Sequence, residues 1–214
     1  MKDIAIYGAG GFGKEIACLI DRINQERNEW NLIGFFDDGK EKETQISHYG
    51  KVLGGITELN NYPKELYITI AIGKPANIEK IFKSINNSYI SFPNLIEPTF
   101  KCVDSTTFNI GIGNIIQSGC RASCDVEIGS FNILNSSVAM GHDAKIGDFN
   151  VIMPATRISG EVTINNGNLL GVGSIILQQI TIGNNITIGA GSVLMTKPKD
   201  GCTYIGNPAK LFKF

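Results

Sequence analysis

Histidine is nearly absent, with two in 214 residues, so imidazole chemistry in this chain has to use His48 or His142. The five cysteines, Cys18, Cys102, Cys120, Cys124 and Cys202, are odd in number and lack CxxC spacing, which argues against a structural zinc or a disulfide framework and for small apolar side chains. No segment approaches the roughly 18 apolar residues of a membrane span, and Met1-Lys2-Asp3 runs straight into an apolar stretch, so no signal peptide and a cytoplasmic location are expected. A net charge of −1 offers no electrostatic case for nucleic acid or an anionic membrane. What the chain does have is apolar content, 43%, enough for two small cores.

From Ile128 to Leu194 every sixth residue is Ile, Leu or Met. Neither a lone helix nor a lone strand has that period, so the pattern predicts a solenoid in which each six-residue side sends one aliphatic inward. Three sides make an 18-residue coil, stacked at roughly 4.8 Å. Asn114, Asn132, Asn150 and Asn168 keep the same 18-residue step and predict a ladder of stacked amides; Cys102 and Cys120 also keep it, which predicts that they stack closely enough to oxidise in air. Glycine follows the aliphatic at Gly111, Gly129, Gly141, Gly147, Gly171, Gly183 and Gly189, predicting corners without a Cβ and often with positive φ. Asp104 breaks the period, so the first coil is expected to begin near Asn94 to Val103.

The N-terminal part alternates differently. An apolar run over Asp3–Tyr7 flows into Gly8-Ala9-Gly10-Gly11-Phe12-Gly13, then into Lys14–Arg27 with helical apolar spacing. A second strand, Leu32–Phe36, ends in Asp37-Asp38; a third, Tyr67–Ile72, ends in Gly73-Lys74-Pro75 before a helix near Ala76–Lys83. This predicts a small Rossmann-like βαβαβ unit with three parallel strands, and the charged stretch Asp38–Gly54 as a flexible loop. Strand, glycine turn, helix and terminal acids together make phosphate binding at the helix N-terminus credible. NAD is the ligand the fingerprint first suggests, but half a dinucleotide fold favours a nucleotide-sugar. Gly8, Gly10, Gly11, Phe12, Gly13, Lys14, Gly73 and Lys74 would then lie near its phosphates, and Asp37 and Asp38 would accept from base or ribose.

His48 falls in the polar loop and reads as a solvated side chain. His142 falls two residues after inward Met140, so it should project from a coil, where a neutral imidazole can act as a general base and Asp143 can fix its tautomer. Gly160 lies one coil above, placed to offer a backbone N–H to an oxyanion.

The segment Asn135 to Phe149, the linker Phe92-Pro93-Asn94-Leu95-Ile96-Glu97-Pro98 and the tail Gly206-Asn207-Pro208-Ala209-Lys210 resemble those of the PglD/NeuD-type sugar N- and O-acetyltransferases. The resemblance implies a Rossmann-like nucleotide-sugar domain over residues 1–92 and a left-handed parallel β-helix over 93–214, of the hexapeptide-repeat acyltransferase type. It implies acetyl-CoA as co-substrate and no metal, a homotrimer, and N-acetylation of a nucleotide-linked amino sugar, typically a 4-amino-4,6-dideoxyhexose. By position His142 inherits the base and Asp143 its acid; Asn135 matches an Asn upstream of the base; Gly160 meets the thioester carbonyl; and Gly171, Val172 and Ala190 follow the pantetheine arm. Val151 replaces a second His of many relatives, and Glu97 a His before the linker Pro. A sugar O-acetyltransferase of the sialic-acid kind and a non-catalytic nucleotide-binding scaffold are the competing readings.

Overall fold

The computed structural model describes residues 1–213. Its first part is a parallel sheet built from β1 (Lys2–Tyr7), β2 (Trp30–Phe36), β3 (Val52–Gly54), β4 (Leu66–Ile70) and β5 (Ile90–Ser91), with helices α1 (Gly11–Arg27), α2 (Ile56–Asn60) and α3 (Pro75–Ser84) between them. The strand order is β3-β2-β1-β4-β5. Two strands more than the apolar runs predict are present, because β3 and β5 are three and two residues long and carry no period of their own. The stretch Asp38–Gly54 is likewise more than a loop. It folds back through a Gln45–Lys51 bridge and ends in β3, whose Val52 is fully buried beside β2. The order reverses between β1 and β4, and in such sheets a crevice opens there at the carboxyl ends of the strands.

From Leu95 onward the chain winds as a three-sided parallel β-solenoid. Face A carries Leu95–Ile96, Ile115–Ile116, Ile133–Leu134, Val151–Ile152, Leu169–Leu170 and Thr187–Ile188, closed by the hairpin Thr203–Gly206 and Ala209–Phe212. Face B carries Lys101–Cys102, Arg121–Ala122, Ala139–Met140, Arg157–Ile158, Ile175–Ile176 and Val193–Leu194, and face C the five strands from Asn109–Ile110 to Thr181–Ile182. Partners along a face are 18 residues apart, as in Ala139↔Arg157 and Thr163↔Thr181. All twelve aliphatics of the hexad from Ile128 to Leu194 are buried, at 4% exposure or less.

The first coil is longer. Leu95 pairs with Ile115 and Lys101 with Arg121, a step of 20 residues, since two extra residues enter around Asp104. Cys102 therefore pairs with Ala122 and not with Cys120, which corrects the expected cysteine stack. Cys120 is buried at the corner against the Asn135 carbonyl, and burial pushes its thiol up to about 11.

The corner glycines are also explained differently. Gly111, Gly129, Gly141, Gly147, Gly171, Gly183 and Gly189 do not have positive φ; the left-handed residue comes two places later, at Gly113, Asp125, Phe131, Ser137, Asp143, Phe149 and their equivalents. What excludes a side chain after the aliphatic is the coil above: a Cβ on Gly171 would fall 2.5 Å from the Ala190 nitrogen, and one on Gly141 2.5 Å from the Gly160 nitrogen.

The asparagine ladder is present. Asn114, Asn132, Asn150 and Asn168 are fully buried at the corner between faces C and A, and each Oδ1 accepts both the backbone N–H and the side-chain N–H of the next, at 2.9 and 3.0 Å. Asn94 starts the column despite the longer first coil. A second, less buried column on the same corner caps amides from coil to coil: Asp148 accepts from Ser130 N–H, Asn166 from Asp148 and Asn184 from Asn166.

The sheet domain sits on face A. The outward residues there, Leu95, Ile115, Ile133 and Val151, are buried and join one core with β1, β2, β4 and α1. Burying such a side chain contributes on the order of 1.5–3 kcal/mol. At the foot, Arg22 of α1 pairs with Glu97, which is 1% exposed. Burial alone would raise the Glu97 pKa, but hydrogen bonds from Thr99 and the Arg22 guanidinium hold it below the usual carboxylate range.

Candidate active site

Within the glycine turn, four glycines divide into two kinds. Gly8 has φ 112, and a Cβ there would lie 2.6 Å from the Ala71 carbonyl oxygen; a Cβ on Gly13 would collide with the Gly8 carbonyl. These two permit the tight turn and the packing of α1 on the sheet. Gly10 and Gly11 have nothing within 4 Å of a Cβ position, so packing does not require them, and they leave the α1 N-terminus open to a ligand. Gly10 is the N-cap and supplies no capping side chain. Gly73, before α3 on the other side of the crevice, is open in the same way, with Lys74 exposed beside it.

Asp37 and Asp38 are more occupied than a pure ligand role implies. Asp37 accepts from Ala9 N–H at 2.7 Å and Gly39 N–H at 2.8 Å; Asp38 accepts from Tyr7 Oη–H at 2.6 Å and from Ile56 N–H, the start of α2, at 2.8 Å. Burial and the Asp38 carboxylate push the Tyr7 phenol pKa up, so it stays a donor. The acids thus shape the rim of the crevice, and only the remaining lone pairs face outward. His48 is exposed and stacks on Tyr49 at 3.9 Å.

On the solenoid, His142 and Asp143 occupy the corner between faces B and C, each with its side chain 55% exposed. Asp143 takes the left-handed corner conformation, φ 58, which turns its carboxylate back to His142 Nδ1 at 2.8 Å. A carboxylate only accepts, so Nδ1 is the donor in this contact, and in the neutral imidazole that leaves the lone pair on Nε2. Among the described residues Nε2 has no partner. The ring lies over Gly160 one coil above, where a Cβ would sit 2.5 Å from Nε2. Ser159 and Glu161 donate their amides to Ile176 and His142 carbonyls, whereas the Gly160 N–H has no acceptor among the described residues. The imidazole therefore lies against the backbone of Gly160, a residue whose own N–H has no acceptor among the described residues. Replacing Gly160 with alanine is expected to push the imidazole off this position and lower kcat more than tenfold with little change in folding midpoint. A kcat within twofold of the parent, by thiol-release kinetics, would remove Gly160 from the site.

Asn135 lies elsewhere, at the corner between faces A and B, buried and donating to the Ile152 carbonyl at 3.1 Å. Gly171, exposed Val172 and exposed Ala190 share that corner. A cavity of about 280 Å³ joins the two domains there, lined by Phe12, Glu15 and Gly73 on one side and Ile133, Asn135, Val151, Met153 and Pro154 on the other. The register that sets Gly160 over His142 also sets Met153 over Asn135, so these solenoid lining residues were within reach of the sequence; Glu15 was not, because nothing in the helix pattern says which turn faces the solenoid.

Residues 3–85 match the family model of the PglD N-terminal domain. No curated protein sequence matches. The acetyltransferase domain of PglB from Neisseria gonorrhoeae, solved with acetyl coenzyme A, is 28% identical, with 99% of each chain covered and a TM-score of 0.86. The chain resembles the PglD/NeuD-type acetyltransferases throughout. Perosamine N-acetyltransferase from Caulobacter crescentus, solved with CoA and GDP-perosamine, shares the fold at 24% identity, 100% and 98% coverage and a TM-score of 0.88. WeeI from Acinetobacter baumannii does so at 24% identity, 99% and 100% coverage and 0.87. Among the described residues no helix is long and apolar enough to cross a membrane, and no group of three or more His, Cys, Asp or Glu is arranged to hold a metal ion.

Proposed function

We propose that this chain is an acetyl-CoA-dependent N-acetyltransferase acting on the amino group of a nucleotide-linked amino sugar, of the 4-amino-4,6-dideoxyhexose kind. The observation that carries the reading is the imidazole of His142, oriented by Asp143 and held over the free amide of Gly160. Residues 1–92 hold the nucleotide, with Gly10, Gly11, Lys14, Gly73 and Lys74 at the phosphates and Asp37 and Asp38 at the rim; residues 93–214 hold acetyl-CoA. Its likeness to a PglB domain solved with acetyl-CoA supports that division. The amine attacks the thioester carbonyl, His142 Nε2 takes the proton released as the C–N bond forms, Gly160 N–H stabilises the oxyanion, and CoA thiolate leaves.

The site is built between copies of the chain. The inter-domain cavity lies at the A/B corner, where Val172 and Ala190 follow one and two coils above its Pro154, whereas His142 and Gly160 stand on the B/C corner, one side of the coil away. Six residues at about 3.3 Å each separate the corners, too far for one acceptor to bridge. A threefold arrangement with face B inward brings the A/B corner of one copy against the B/C corner of the next. Face B and its flanks carry the exposed aliphatics this needs: Val172 (47%), Ile175 (37%), Leu177 (37%) and Met195 (46%).

Incubation with acetyl-CoA and UDP-, GDP- or dTDP-linked 4-amino sugars is expected to yield an amide product with one of them. Acetylation of free sialic acid with no turnover of any nucleotide-linked amine would instead establish the O-transferase reading, and failure to bind acetyl-CoA at all the scaffold reading.

A further inference from the structure

At the C/A corner the left-handed position is filled, coil by coil, by Gly113, Phe131, Phe149, Gly167 and Asn185, with φ between 57° and 70°. Glycine and asparagine suit that conformation, but a bulky side chain there is uncommon and needs a local reason. The reason is visible above the corner. The rings of Phe131 and Phe149 stack at 5.4 Å and 7°, and Phe82 of α3 packs on both, at 4.3 and 5.9 Å. Phe92, in the segment joining the domains, closes the group at 5.2 Å from Phe131 and 5.4 Å from Phe82. Gly113 makes room below, since a Cβ there would fall 2.5 Å from the Phe131 ring.

We propose, building on the function above, that Phe131 and Phe149 are positioning residues for the acceptor: a strained aromatic cleat that clamps the far end of α3 and so fixes where its near end holds the substrate. Helix α3 spans Pro75–Ser84, directly after Gly73 and Lys74, and Gly73 lines the inter-domain cavity. Phe82 lies eight residues from Lys74, about 12 Å along the helix axis. A tilt of α3 by about 5° displaces its N-terminus by roughly 1 Å, an error that can lower a rate about a hundredfold when reacting groups must be held in line. The two phenylalanines stand in the two coils whose corner rings meet Phe82 of α3. In the neighbouring coils the same position is Gly113, kept bare beneath the Phe131 ring, and Gly167.

Because glycine suits the left-handed corner, the double variant Phe131→Gly, Phe149→Gly leaves the solenoid backbone unstrained while it removes the buried rings on which α3 packs. In the full-length protein, hydrogen exchange of α3 amides is expected to speed at least tenfold, while amides of the face B strands Ala139–Met140 and Arg157–Ile158 keep their rates. With a nucleotide-linked acceptor kcat/KM should fall at least tenfold; with the same amino sugar lacking its nucleotide, and for the KM of acetyl-CoA, the change should stay within about twofold, because neither depends on the crevice. The Phe131→Leu, Phe149→Leu pair, which keeps an apolar contact, should recover most of the loss. Unchanged exchange in α3, or equal losses for linked and unlinked acceptors, would overturn the proposal. Should the unaltered protein acetylate no nucleotide-linked amine, the function above fails by itself, and the exchange measurement still decides whether the pair clamps α3.

Discussion

Replacing His142 with alanine is expected to lower kcat by roughly 10²- to 10⁴-fold, the range a positioned general base contributes, with the KM for acetyl-CoA nearly unchanged. The imidazole is more than half exposed, so the folding midpoint should barely move. Asp143→Asn is the companion variant. Asparagine tolerates the left-handed corner as well as aspartate does, so the backbone is kept. It can offer its amide nitrogen to Nδ1, however, which stabilises the wrong tautomer and moves the proton onto Nε2. A His142→Ala enzyme retaining kcat within about threefold would show that another group removes the proton, and steady-state kinetics at saturating acetyl-CoA measure this directly. Mixing His142→Ala chains with chains crippled in the glycine crevice gives the same experiment a second edge. Activity regained on mixing is expected if base and acceptor come from different copies.

The second large effect is on stability. Asn150 sits in the middle of the amide ladder, fully buried. Its Oδ1 accepts from the N–H and the Nδ2–H of Asn168, and its own Nδ2–H groups reach Asn132 Oδ1 and the Asn165 carbonyl. Asn150→Ala strands the Asn168 backbone N–H and the Asn165 carbonyl in the corner, and each buried orphan costs about 1–3 kcal/mol. A loss of roughly 3–5 kcal/mol follows once the small cavity is added, a large share of the 5–15 kcal/mol typical of a folded domain. Urea unfolding reads it as a lower midpoint. A loss below about 1 kcal/mol would mean that water or a relaxed corner replaces the ladder.

Much of this was legible along the chain, for a physical reason. A solenoid contacts itself at a constant sequence separation, so spacing maps directly onto contact. The hexad marked which side chains point inward, the asparagine series marked a real ladder, and the step of 18 carried Gly160 to His142. The same rule carries two further signals. Ile115, Ile133, Val151 and Leu169, each beside an inward aliphatic and 18 residues apart, announce that face A is covered; Phe131 and Phe149, also 18 apart, announce the aromatic stack. Where the rule misled, an insertion had broken the register, as in the first coil with Cys102 and Cys120.

The amino-acid sequence by itself determined the repeat, the inward and outward side of each strand, the turn that opens α1, and the pairing of His142 with Asp143 on one corner. Those are local or strictly periodic relations, set by backbone geometry within a few residues or one coil. Only the tertiary structure decided that β3 and β5 complete the sheet, that Gly10 and Gly11 are open while Gly8 and Gly13 are packed, and that α1 and α3 lie along face A to enclose a cavity with Asn135 and Met153. It also separated the two corners that the proposed chemistry would bring together. These depend on how one aperiodic domain docks on a periodic one, and such packing is fixed by the shapes of two surfaces rather than by any spacing along the chain.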